Sequence, residues 1–82
     1  MVQSKELLEV SISTPDGTLF QGNAHRVVLP GEQGVFEVLP HHKSLMSRLF
    51  QGEILIDEQS VPIQRGMVRV ALDVVRAIVE IG

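Results

Sequence analysis

Short apolar runs of alternating polarity, each cut off by a turn, constrain this chain more than any other feature. Leu8, Val10 and Ile12 alternate with Glu9, Ser11 and Ser13, which is the period of a half-buried strand and not of a helix. Thr14-Pro15-Asp16-Gly17 follows. Proline presets φ for the first central turn position and glycine tolerates a positive φ on leaving it, so a tight turn is expected there. Thr18 to Gln21 then returns as a short strand ending at Gly22. His25 to Pro30 is the next run, with Val27 and Leu29 on one face, and Gly31-Glu32-Gln33-Gly34 reads as a hairpin connection.

Val35 to Leu39 is a further strand, stopped by Pro40 because proline cannot donate to a central ladder. His41 to Phe50 looks least like a strand. Leu45 and Leu49 fall four apart there, which suggests a loop with one helical turn. Glu53 to Asp57 alternates around Ile54 and Ile56. Val61 to Gln64 contains Pro62, which suits an edge strand. Met67 to Leu72 and Val74 to Ile81 close the chain as two more strands. About eight short strands at this spacing define an all-β chain, a sandwich or barrel.

Length and composition narrow the function. The chain has 82 residues, room for one domain spanning 1–82. A domain this small buries a modest share of its surface, so a partner protein is a reasonable source of extra stability. Cysteine is missing, which removes disulfides and thiolate metal sites and permits a reducing compartment. Ten acids against seven bases give a net charge of −3, and no basic block exists, so a nucleic-acid role is not expected. No apolar run approaches the roughly 20 residues of a membrane span. The N-terminus lacks the pattern of a signal peptide. A soluble, cytoplasmic protein without direct membrane insertion is expected.

Chemistry-bearing constellations are sparse. His41 and His42 invite a metal reading with His25 or Glu37, but adjacent side chains on an extended backbone point to opposite faces. No third ligand stands at a fixing distance, so two polar loop residues are the plainer account. Ser44, Ser47 and Ser60 lack a nucleophile elbow, and Gly31 to Gly34 is too short and acidic to cradle phosphate. No catalytic residue, cofactor or metal is expected. The loop His41 to Phe50 carries Leu45, Met46, Leu49 and Phe50 among His42, Lys43 and Arg48. It either folds back as a core plug or is presented to another protein.

The stretch GEQGVFEVLPHHKSLMSRLFQG, from Gly31 to Gly52, resembles a segment of the epsilon subunits of rotary (F-type) ATP synthases. Gly34, Val38, Leu39, Pro40, His42, Leu45, Leu49 and Gly52 fall on that family's pattern. VSISTPDGTLF (Val10 to Phe20), Val27 to Gly31 and IQRGMVRV (Ile63 to Val70) are similar to its flanking strands, in order. The resemblance implies a two-layer antiparallel β-sandwich of eight to ten short strands in the central stalk. It further implies binding to a gamma subunit and to the membrane rotor ring, no chemistry of its own, and a peripheral place on the cytoplasmic face of the membrane. It puts the ring contacts at Val35, Glu37, His41, His42, Lys43 and Leu45.

The chain departs from the family's usual pattern at three points. Family members usually carry glycine where this chain has His41. They often have an acid at Val35 and glycine at Glu37. They also continue into two helices, so a C-terminal helical hairpin is expected to be absent from a chain that stops at Gly82. Leu72-Asp73-Val74-Val75-Arg76-Ala77 matches the family's ATP-binding signature, but it falls in a valine-rich run that reads as strand. Asp73 is therefore expected in a turn and Arg76 facing outward, and nucleotide binding is not expected. Two readings from other classes stand beside this one: a free-standing β-barrel module with a small ligand in its mouth, and a metal-dependent enzyme using the three histidines.

Overall fold

The computed structural model describes residues 6–82. Nine strands follow one another: β1 (Leu8–Thr14), β2 (Gly17–Ala24), β3 (Val27–Gly31), β4 (Gly34–Val38), β5 (Leu45–Leu49), β6 (Gly52–Ile56), β7 (Gln59–Ile63), β8 (Arg65–Ala71) and β9 (Val74–Glu80). The expected turns are present, with Pro15-Asp16 joining β1 to β2 and Glu32-Gln33 joining β3 to β4. β2 runs through Gly22 to Ala24, farther than its sequence suggests.

The largest correction concerns His41 to Phe50. Leu45–Leu49 is a strand, not a helical turn, and pairs along its whole length with β8, from Leu45↔Val70 to Leu49↔Gly66. Four-residue spacing of two leucines suggested a helix. The ladder with β8 supplies partners for the backbone N–H and C=O groups that a single isolated turn would leave unsatisfied.

One layer runs β2-β1-β9-β8-β5 and the other β4-β3-β6-β7. Gly31↔Leu49 is the paired position joining β3 to β5, so the sheet folds over at this point. Every neighbouring pair is antiparallel except β1 and β9, which run parallel through Glu9↔Val74 to Ser13↔Ile78. The architecture is thus the expected two-layer, predominantly antiparallel β-sandwich, with one parallel contact between β1 and β9.

Inward positions of both layers meet in one core. Leu8, Val10, Ile12, Leu29, Val38, Ile54, Ile56, Val68, Val70, Val75 and Val79 are buried, along with five other aliphatic side chains. Phe20 and Phe36 pack against its edge, and no polar or charged side chain is buried among the described residues. Compact β-branched residues fill a thin space between pleated layers, where long side chains would overpack. Pro62 lies on β7, which pairs on one side with β6, as an edge proline should.

Candidate partner interface

The β4–β5 connection is held by one backbone bond and by side-chain contacts. His42 N–H donates to the Leu39 carbonyl at 3.1 Å, which turns the chain after Pro40. His41 has φ of 70°, the left-handed angle that glycine takes without cost and that other residues avoid. The histidine thus holds a backbone conformation in which glycine is ordinarily found. Two carboxylates hold it there. The His41 N–H donates to Asp73 Oδ1 at 2.7 Å, and its ring Nε2 meets Glu6 Oε1.

Asp73 itself sits in the β8–β9 turn, with φ of 63° beside Leu72 at 52°. Two successive positive φ values make the mirror-image turn that suits the twist of a hairpin. Arg76 lies exposed on β9. The residues matching the nucleotide signature therefore occupy a turn and a strand, and the Asp73 carboxylate is engaged by the β4–β5 loop.

The six interface candidates do not form one cluster. Val35, His42 and Leu45 line a single open groove of about 430 Å³ together with Phe36, Met46 and Ser47. Val35 is 73% exposed, and the His42 ring is oriented by a 2.8 Å contact between Nδ1 and the Lys43 carbonyl. Glu37 lies outside the groove, ion-paired to Arg26 at 3.0 Å. His41 is tied back to Glu6 and Asp73, and Lys43 is exposed beside the groove. The histidines are distributed likewise: His25 lies at the β2–β3 turn, and no group of three potential metal ligands occurs among the described residues.

A second turn aspartate works at the β6–β7 turn. Asp57, with φ of 52°, accepts the His25 N–H through both oxygens at 3.0 and 3.1 Å and the Arg26 N–H at 3.1 Å. Its own N–H donates to the Arg26 carbonyl. The His25 N–H bond is the main influence holding the Asp57 carboxyl below its ordinary pKa; partial desolvation opposes it, and Arg26 N–H and the His25 side chain add to it. This clamp closes the end of the β3–β6 ladder beside Val27↔Ile56.

The outward face of β5, β8 and β9 escaped the sequence reading, because it exists only once β5 is a strand. Across it run two rows: Met46, Arg69, Arg76 and Ser11, then Arg48, Met67, Ile78 and Ser13. Arg65 follows, bonded to Glu80 at 3.3 Å. Ile78 is 62% exposed and Met46 65%. The final hairpin would have revealed the pairing of Arg69 with Arg76, since centring it on Leu72-Asp73 puts those residues opposite each other.

The described residues thus form an all-β sandwich with an open groove of mixed polar and apolar lining and an exposed outer sheet face. Residues 7–81 match the family described as ATP synthase, Delta/Epsilon chain, beta-sandwich domain. An ATP synthase epsilon chain of a Nitratiruptor species is 41% identical over 80 residues, covering 92% of this chain and 62% of that protein. One from a Sulfurovum species is 41% identical over 70 residues, covering 79% and 55%. This chain belongs to the family of ATP synthase delta/epsilon-chain β-sandwich domains. It spans about 62% and 55% of the length of these two curated relatives.

The fold is likewise shared with a chain in the Euglena gracilis mitochondrial ATP synthase, OSCP/F1/c-ring structure, at a TM-score of 0.78 and 16% identity, covering 95% of this chain and 53% of that one. A chain in the Tetrahymena thermophila mitochondrial ATP synthase central stalk and c-ring structure gives 0.73 at 14% identity, covering 95% and 66%.

Proposed function

We propose that this chain is a non-catalytic part of the rotor of an ATP synthase, docking on a gamma subunit and bearing on the membrane rotor ring, so that ion flow is coupled to ATP synthesis. The family match over nearly the whole sandwich carries this reading. The exposed groove of Val35, His42 and Leu45, flanked by Glu37, His41 and Lys43, is the surface assigned to the ring. A loop braced by the His42–Leu39 backbone bond and by the His41 N–H bond to the Asp73 carboxylate presents such a surface with little ordering cost on binding. The chain would sit peripherally, on the cytoplasmic face of the membrane; among the described residues no helix is long and apolar enough to cross it.

One observation favours this reading over a small ligand-binding barrel. A depression of about 760 Å³ is lined by Phe20, Asn23, His25, Arg26, Asp57 and neighbours. Its Asp57 carboxylate is already committed to backbone N–H groups, so it is not a free acceptor poised to orient a ligand.

Calorimetric titration of the chain against a gamma subunit from the same source tests the reading, with and without ATP. Saturable binding of equal affinity in both conditions is the expected result. No binding while both proteins are folded would contradict it, as would ATP turnover by the purified chain.

A further inference from the structure

The face formed by β5, β8 and β9 combines two features that cost the isolated domain stability. Arg69 and Arg76 are directly opposed on neighbouring antiparallel strands, and like charges in that position repel. Arg48 lies diagonally across from Arg69 on β5. Among the described residues, none of the three is within ion-pair distance of a carboxylate, whereas Arg65 on the same face is paired. Four of the chain's five arginines (Arg48, Arg65, Arg69 and Arg76, with Arg26 elsewhere) gather on this face of a chain whose net charge is −3. Carboxylates here are confined to Glu80, bonded to Arg65, and Glu9 at the β1 margin.

Apolar side chains interleave with these arginines. Met46, Phe50, Met67 and Ile78 are all substantially exposed. Phe50, Met67 and Ile78 border a groove of about 510 Å³ with Pro15 and Arg48. Methionine, aromatic residues and arginine are the residue types enriched where proteins meet, and an apolar centre with a charged surround is the usual plan of an interface.

We propose that this face is the docking surface for the stalk partner, and that the Arg69–Arg76 pair with Arg48 selects a partner surface carrying carboxylates around an apolar stripe. The inference rests on the rotor reading above and specifies its chemistry. Directly opposed strand residues stand about 5 Å apart and successive outward residues on one strand about 7 Å apart. Carboxylates on one side of an amphipathic helix recur at about 5–6 Å, so a helix laid on this face reaches two arginines while placing an apolar residue between Met67 and Ile78. Its carboxylates relieve the arginine repulsion, so the strain of the free domain is released on binding. The same positive charge disfavours a second copy of this chain as the occupant.

The test uses the double variant Arg69→Gln/Arg76→Gln, with the gamma subunit titrated at low and raised salt. Removing the repulsion leaves thermal stability unchanged or raised, while affinity falls at least about tenfold and its salt dependence flattens. Wild-type binding that the double variant reproduces, with the same salt dependence, would overturn this inference and leave the rotor reading standing. Failure of the wild type to bind gamma would overturn both. Co-sedimentation with phosphatidylglycerol vesicles that the substitutions abolish, beside unchanged gamma binding, would assign the arginines to a lipid surface and overturn the inference too.

Discussion

The two faces of the β5–β8–β9 layer are built from the same strands and obey opposite rules. Inward, Leu49, Val68, Val70, Val75, Ala77 and Val79 are uniformly aliphatic and buried. Outward, one residue away along each strand, Met46, Arg48, Met67, Arg69, Arg76 and Ile78 mix exposed apolar groups with unpaired positive charge. Alternation by two puts the fold's stability on one side and leaves the other free for recognition. Substitutions should therefore separate the faces: inner ones cost stability, outer ones cost partner affinity.

The largest effect is expected inside. Leu29→Ala removes a fully buried side chain from the centre of the core, and chemical denaturation should show a loss of about 2–5 kcal/mol. Because domains of this size are marginally stable, that loss is expected to leave much of the variant unfolded.

Gly66→Ala comes next. A Cβ there would lie 2.6 Å from the Ile78 carbonyl oxygen and 2.8 Å from Val79 Cγ1. Backbone cannot move aside cheaply, so a destabilisation of about 1–3 kcal/mol is expected in the same assay.

Leu72→Asn should act in the other direction. Leu72 is 92% exposed with φ of 52°, an angle at which asparagine is less strained. A gain of about 1 kcal/mol is expected, seen as a higher melting temperature. Ile78→Ser, on the outer face, should change stability by less than about 0.5 kcal/mol and still weaken gamma binding. Equal losses of stability from Ile78→Ser and Leu29→Ala would break the distinction between the faces.

Asp57 gives the corresponding pH test. Its folded-state pKa lies below the ordinary value of 3.8, so the unfolded chain binds more protons at acid pH. The stabilisation is complete above 3.8 and is lost as pH falls below it through the folded value. Asp57→Asn should lower the melting temperature at neutral pH and flatten its decline at acid pH. An unchanged acid limb in the variant would remove the clamp from the account.

Much of this molecule is legible from local chemistry. Thr14 to Gly17 and Gly31 to Gly34 mark their hairpins through residues with fixed turn roles, and Val27, Leu29, Ile54 and Ile56 mark the core by alternation. β5 was hidden because Ser47 stands at an inward position between Leu45 and Leu49, which leaves the two leucines at a helix-like spacing. The alternation of Leu45, Ser47 and Leu49 with Met46 and Arg48 was the available signal. The parallel contact of β1 with β9 joins opposite ends of the chain, and no local pattern records it.

The candidate site was half legible for a similar reason. Val35, His42 and Leu45 share one groove, but Glu37 is paired with Arg26 from just before the neighbouring strand, and His41 is anchored by Asp73, 32 residues away. Such partners depend on the tertiary fold. The left-handed angle at His41 is its clearest local trace, since a histidine there stands where glycine usually serves.

The most direct test of this account is the affinity of the wild-type chain for a gamma subunit, measured at low and raised salt. Saturable binding that weakens as salt rises is the predicted result. Absence of binding with both proteins folded, or binding indifferent to salt, would contradict a basic outer face that docks on the stalk.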